Sequence, residues 1–373
     1  MKIGIMTFWW SEDNYGQQLQ CYALQKYLRD AGHDVYLIRY SYEIDLKTPL
    51  WKKILKAFNP IELYDYLFKK IQKSKDKKEK QYNPREFSKF RSKYINQSEK
   101  EYCSYTELKH NPPEADVYIV GSDQVWNVGP KKCANRAYLL DFGSSAIKRI
   151  AYAASFGKGY IDRTSIDLYS SLLKKFDYIS VREKSGIDIC KRCGIENVEW
   201  VPDPTMLIDI DIYRSLYKNE KIRMPNKPYC LLYYLGVDCG FSIQSVYDWS
   251  DRMNLEVVYV TGNMQHDKFE KHYATITEWI YLVEHAEYVI TNSYHCSVFS
   301  LLFNKNFGVA PLKGKYAGLN NRLETLFKQF GIEQRFIVDD IGCILLKKHI
   351  QWDKVNDLFK QMRYSCRLKE VLQ

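Results

Sequence analysis

The chain reads as two α/β domains holding a small anionic ligand between them, and three observations carry that reading. Its 373 residues exceed the size at which one hydrophobic core usually stops growing. Strand and helix patterns alternate in both halves, as they do where helices flank a parallel sheet. Successive apolar strands run out into polar or glycine-containing turns, and in open α/β sheets that carboxyl edge is where ligands bind.

Lys2 to Phe8 is predicted as the first buried strand, because Ser11, Glu12 and Asp13 follow too soon for a leader's apolar region. Gln17 to Ala31 places Leu19, Ala23, Leu24, Tyr27 and Leu28 on one helical face, Gly32 ends that helix, and Val35 to Tyr40 returns as a strand. The polar loop Trp9 to Gly16 thus lies at a ligand-binding edge. Lys47 to Lys80 is basic and helical, with Trp51, Ile54, Leu55 and Phe58, then Leu63, Tyr66, Leu67 and Phe68, at turn spacing. It interrupts the alternation, and an inserted helical excursion at about 47–110 is expected. The pattern resumes with Val117 to Val120, Ile150 to Ala154, Ile179 to Val181 and Val198 to Val201, which deliver Ser122-Asp123, Ser155, Arg182-Glu183 and Pro202-Asp203-Pro204. Strands at Tyr229 to Leu235, Leu255 to Val260 and Tyr288 to Ile290 build the second half. The expected division is residues 1–206, residues 207–345, and a helical tail, 346–373, that is a candidate to cross back.

Composition narrows the function. Ten cysteines scattered through a long chain suit a reducing, cytoplasmic compartment, and the lone Cys190-Lys-Arg-Cys193 pair lacks the second pair of a zinc site. The remaining histidines form no short ligand cluster, so no metal is expected. The net charge of +10 is local: between Lys69 and Lys93 eleven Lys or Arg face three acids. The excursion from Lys47 to Lys93, in which lysines alternate with apolar positions including Trp51, Phe58 and Phe68, suggests peripheral contact with an anionic membrane at its inner face. The alternative is apolar residues packed on the domain with the lysines solvated. No base-reading motif accompanies the run, so specific nucleic-acid binding is not expected.

Three constellations are candidates for chemistry. In Thr291-Asn292-Ser293-Tyr294-His295-Cys296 a strand meets a helix whose first amides suit phosphate or carboxylate oxygens, with His295 as acid, base or charge partner. A histidine satisfied within the core is the alternative. Arg182 can clamp an anion with a planar fork, unless the adjacent Glu183 ties it up. In the loop Ser11 to Gln18, Gly16 permits close backbone approach while Asn14 and Gln17 offer donors and acceptors; a helix cap is the alternative. Ser122, Asp123 and Asp203 follow strands and suit sugar hydroxyls, acid chemistry or capping. The loop is not GxGxxG, which removes the main support for a dinucleotide.

Taken together, Asn14-Tyr15-Gly16 with Leu19-Gln20 and Tyr22-Ala23-Leu24, Gly121-Ser122-Asp123-Gln124-Val125-Trp126, Ser180-Val181-Arg182-Glu183, Asp203-Pro204-Thr205 and Asn292-Ser293-Tyr294-His295 resemble the polysaccharide pyruvyl transferase family. The resemblance implies a GT-B-like fold of two Rossmann-like domains facing a cleft. It also implies transfer from phosphoenolpyruvate, as donor substrate and without a cofactor, to two hydroxyls of a free or lipid-linked saccharide. His295 would be acid, base or phosphate partner and Arg182 the donor clamp, with Asp123 a further catalytic candidate. Asn14, Gln17, Ser122, Asp203, Ser293 and Tyr294 would line the substrates. A glycosyltransferase using a nucleotide sugar and a non-catalytic glycan-binding protein are the alternatives. Many members similar to the bacterial sugar-modifying enzymes have arginine just before the histidine. This chain has Tyr294, which leaves the donor's anion to Arg182 or to a basic residue from elsewhere.

Overall fold

The computed structural model describes residues 1–41, 60–127, 136–222, 225–236, 242–262, 267–332, 335–338, 340–346 and 349–373. The first sheet contains β1 (Lys2–Met6), β2 (Asp34–Tyr40), β3 (Gln97–Tyr102), β4 (Val117–Val120), β5 (Lys148–Ala154), β6 (Tyr178–Val181) and β7 (Glu199–Trp200), in the order β3-β2-β1-β4-β5-β6-β7. The second contains β8 (Tyr229–Tyr234), β9 (Glu256–Thr261), β10 (Tyr288–Thr291) and β11 (Asn306–Val309), in the order β11-β10-β8-β9. All pairings are parallel. Continuous apolar strands such as VYIV and YCLLYY are buried throughout, because helices cover both faces.

Strand order reverses direction between β1 and β4 in the first sheet and between β8 and β10 in the second. Crevices open at such switch points, beyond the strands' carboxyl ends. Loops from both switch points meet in the site described below.

The segment expected as a helical excursion, 47–110, is corrected in one respect, since it also supplies a sheet strand, β3. Its sequence QSEKEY is mostly exposed, as suits an edge strand guarded by charge, and carries no apolar run to announce it. Trp51, Ile54, Leu55 and Phe58 lie outside the described residues. The helix Pro60–Tyr82 precedes the short helix Phe87–Tyr94, whose Phe87 and Phe90 join a core shared by both sheets' flanking helices. Tyr15 is the pivot of that core: its ring stacks on Trp279 at 5.1 Å, and its hydroxyl donates to Ala274 O at 2.8 Å. Residues from both halves are therefore packed into one hydrophobic unit across the cleft. At the C-terminus, Val355, Phe359 and Met362 of the helix Trp352–Tyr364 pack into this core, while Leu368 and Leu372 pack beneath the first sheet with Ile3 and Ile5. Among the described residues, no helix is long and apolar enough to cross a membrane.

Candidate functional site

Asp203 is the centre of the site. It follows β7, is fully buried, and its Oδ1 accepts from Thr205 N and Oγ1 at 3.0 and 2.7 Å. Its Oδ2 accepts from Ser122 Oγ and from Arg182 Nη1, both at 2.7 Å. His295 Nε2 lies 3.4 Å from the same oxygen without hydrogen-bond alignment. Burial pushes the Asp203 carboxyl up, but the facing His295, then Arg182 and Thr205, outweigh it and hold the group far below the usual carboxylate range. Asp203 is thus a fixed anion that anchors a guanidinium and faces an imidazole.

Arg182 reaches Asp203 from the end of β6, and its Nη1 also donates to Ser122 Oγ at 3.2 Å. Burial alone would lower its pKa; the carboxylates of Asp203 and Glu183 reverse that and raise it, so it stays a cation. Nε is 3.7 Å from Glu183 Oε1, yet among the described residues neither Nε nor Nη2, both buried, has a hydrogen-bond partner. Glu183 is instead engaged by the Ser155 hydroxyl. Two donor positions on a fully buried guanidinium are therefore unspent, a costly state unless a ligand anion completes it.

His295 comes from the other half of the chain, on the helix Tyr294–Leu302 after β10. Ser293 caps that helix by accepting from Cys296 N. Asn292 Oδ1 accepts from Leu235 N at 2.9 Å, bridging β8 and β10, and its Nδ2 is buried and unpartnered among the described residues. The His295 ring lies against Gly16, where an added Cβ would fall 2.3 Å from its Cγ and Nδ1. Gly16 has an ordinary helical conformation, so its requirement is for space. Tyr294 is buried, with the Arg182 guanidinium 4.4 Å from its ring centre. Burial pushes its hydroxyl well above the usual phenol range.

The other expected residues sit at the rim of this cluster. Asn14 caps the helix Tyr15–Asp30 by accepting from Gln17 N at 3.2 Å, and Gln17 Oε1 accepts from Ser11 N at 2.8 Å. Both order the loop after β1. Asp123 is buried in the left-handed region, with φ of 77°, and its Oδ1 accepts from Gln124 N at 2.8 Å. A non-glycine residue held there costs about 1–3 kcal/mol and clusters at functional sites. Composition and motif did not point to Arg85 and Arg91. Arg91 donates to Ser11 O at 3.1 Å and pairs with Glu12, and Arg85 donates to Thr261 O, so part of the basic segment braces the loop after β1 and the second sheet. Cys190 and Cys193 are buried in the first half's core, and among the described residues no cluster of ligating side chains forms a metal site.

Two Rossmann-like domains whose carboxyl-edge loops set His295 3.4 Å from Asp203, beside Arg182, make a GT-B-like architecture. The chain spans the fold of UDP-GlcNAc 2-epimerase from Methanocaldococcus jannaschii, solved with UDP-GlcNAc and UDP, at a TM-score of 0.47 and 11% identity over 98% of this chain and 94% of that one. It is also similar to the glycosyltransferase SsfS6 of Streptomyces sp. SF2575, solved with thymidine diphosphate, at 0.42 and 11% over 98% and 96%. No curated protein matches the chain. The profile of the polysaccharide pyruvyl transferase family matches residues 14–309, and the chain belongs to that family. It is accordingly an enzyme of the transferase type acting on sugars.

Proposed function

We propose that the protein transfers the pyruvyl carbons of phosphoenolpyruvate to two hydroxyls of a saccharide, closing a cyclic ketal on a surface-polysaccharide precursor. The observation that carries this reading is the Asp203–His295 pair, 3.4 Å apart, beside an Arg182 whose Nε and Nη2 are unspent. Protonation of the donor's methylene carbon makes C2 electrophilic. One sugar hydroxyl then adds to C2 and loses its proton, and the second displaces phosphate, so the products are the ketal and inorganic phosphate. His295 transfers the proton, with the Asp203 carboxylate facing its Nε2 at 3.4 Å. Arg182 holds the donor's anion with a planar fork. Asp123, Ser122, Ser293, Tyr294, Asn14 and Gln17 shape the pocket in which donor and acceptor meet. The chemistry requires no redox cofactor.

A nucleotide-sugar donor is the second reading. It is favoured by the unpartnered Asn292 Nδ2 at the second switch point, an amide donor suited to a diphosphate or ribose oxygen. Incubation with phosphoenolpyruvate or sugar nucleotides and a panel of free and lipid-linked saccharides separates the two. Inorganic phosphate with a product heavier by one pyruvyl ketal supports the first. Release of nucleoside diphosphate with no phosphoenolpyruvate turnover replaces it with the second.

A further inference from the structure

Arg322 is a buried cation with no ion-pair partner among the described residues. It is the second residue of the helix Asn321–Phe330, is 9% exposed, and among the described residues makes no hydrogen bond or ion pair. Burial lowers its pKa and the neighbouring Arg182 lowers it further, and the carboxylates of Glu183 and Asp123 offset this only in part. Each feature is unfavourable for stability: an unpaired buried charge, a like charge alongside, and a cation at the positive end of a helix dipole. Its surroundings locate it. The guanidinium lies 5.9 Å from the ring centre of Tyr294, the same ring that Arg182 approaches at 4.4 Å. Asn321 Nδ2 donates to Ser185 Oγ at 2.6 Å, tying this helix to the start of the helix Lys184–Arg192 that follows Arg182 and Glu183. The second half of the chain thereby presents one guanidinium, and the first half another, to one aromatic ring beside His295.

We propose that Arg322 and Arg182 form a two-arginine clamp, gathered around Tyr294, for the phosphate group of the donor. The inference rests on the reading of the cleft as a transferase site for a phosphorylated donor, and it adds Arg322 as the residue through which the C-terminal half recognises that phosphate. Arg182 spends one edge on Asp203 and Ser122, which leaves Nε and Nη2 for the ligand. Arg322 contributes a second fork, and a dianionic phosphate can accept from both. Its negative charge relieves the repulsion between the two guanidinium groups.

The test is titration calorimetry of the full chain with inorganic phosphate and with phosphoenolpyruvate, alongside thermal unfolding with and without each. Arg322→Gln is expected to weaken both ligands at least 10-fold. Its ligand-free Tm should equal or exceed that of the wild type, because an unpaired charge has been removed, while the rise in Tm on adding phosphate is lost. Arg322→Lys, which keeps the charge but not the fork, should fall between. Wild-type affinity in Arg322→Gln overturns the clamp, as does a ligand-free Tm that falls while affinity is unchanged. Failure of the pyruvyl reading looks different: phosphate binding stays dependent on Arg322, but phosphoenolpyruvate is not turned over with any saccharide.

Discussion

Gly16→Ala adds one methyl group at the contact between the two halves of the site. The new carbon would sit 2.3 Å from Cγ and Nδ1 of His295 and 2.5 Å from its Cβ. Carbon contacts settle at about 3.5–4.0 Å, so the imidazole must retreat by roughly 1 Å or more. It has little room to do so, because every residue of its helix is buried. Overpacking of this kind costs about 1–3 kcal/mol, and the better helix propensity of alanine returns about 0.5–1 kcal/mol, for a net loss on the order of 1–2 kcal/mol. The effect on chemistry is larger, since a 1 Å misplacement of a catalytic group costs about 10²-fold. Phosphate release from phosphoenolpyruvate in the presence of acceptor should therefore fall by about two orders of magnitude, with a Tm decrease of roughly 2 °C. A variant that turns over within a few-fold of wild type, at unchanged Tm, refutes the claim that this contact positions His295.

Three further outcomes follow from the same geometry. His295→Gln should lower kcat by about 10² or more while KM for phosphoenolpyruvate changes little, since the role assigned is proton transfer; steady-state kinetics decide, and a change confined to KM moves His295 to the binding side. Asp203→Asn should cost about 3–5 kcal/mol at pH 7 by leaving Arg182 buried without its carboxylate. The folded carboxyl is depressed, so its stabilisation is complete above the unfolded value of about 3.9 and is lost as pH falls through the folded one. The Tm gap between wild type and variant should accordingly narrow from pH 7 to pH 3, and a constant gap contradicts the assignment. The helix Pro60–Tyr82 exposes Leu63, Leu67 and Ile71 at one-turn spacing, with Lys70, Lys75, Lys77 and Lys78 also exposed. Sedimentation with acidic but not neutral vesicles at low salt is expected, and neutralising those four lysines should abolish it; equal partition to both vesicles argues for lysines that are merely solvated.

Much of this protein is written locally. Strands such as Val117–Val120 and Tyr229–Tyr234 declare themselves by uninterrupted apolar runs, and the turns after them by Ser122-Asp123, Arg182-Glu183 and Asn292-Ser293, because burial on both faces and the polar carboxyl edge each impose a composition on consecutive residues. Arg182, Asp203 and His295 were legible as candidates for that reason. Their pairing was not: Asp203 and His295 are separated by a whole sheet's worth of chain, and no local pattern reports which carboxylate faces which imidazole. The same limit hid β3, whose charged edge sequence lacks the apolar signal of a central strand.

Arg322 and Gly16 mark the boundary most clearly. The sequence Asn320-Asn321-Arg322 looks like any polar helix start, and an arginine there would ordinarily be solvated. Only the packing of the helix Asn321–Phe330 against the start of the helix after β6 buries it and sets it beside Arg182. Gly16 could be read as a residue permitting close approach, but what approaches it comes from nearly 280 residues away. By itself, then, the sequence determined the two parallel sheets, their polar carboxyl edges and the family, because hydrophobic burial and turn chemistry act on neighbours along the chain. The tertiary structure decided which charges are spent and which remain free, because desolvation and Coulomb energy depend on distances through space that sequence separation does not encode.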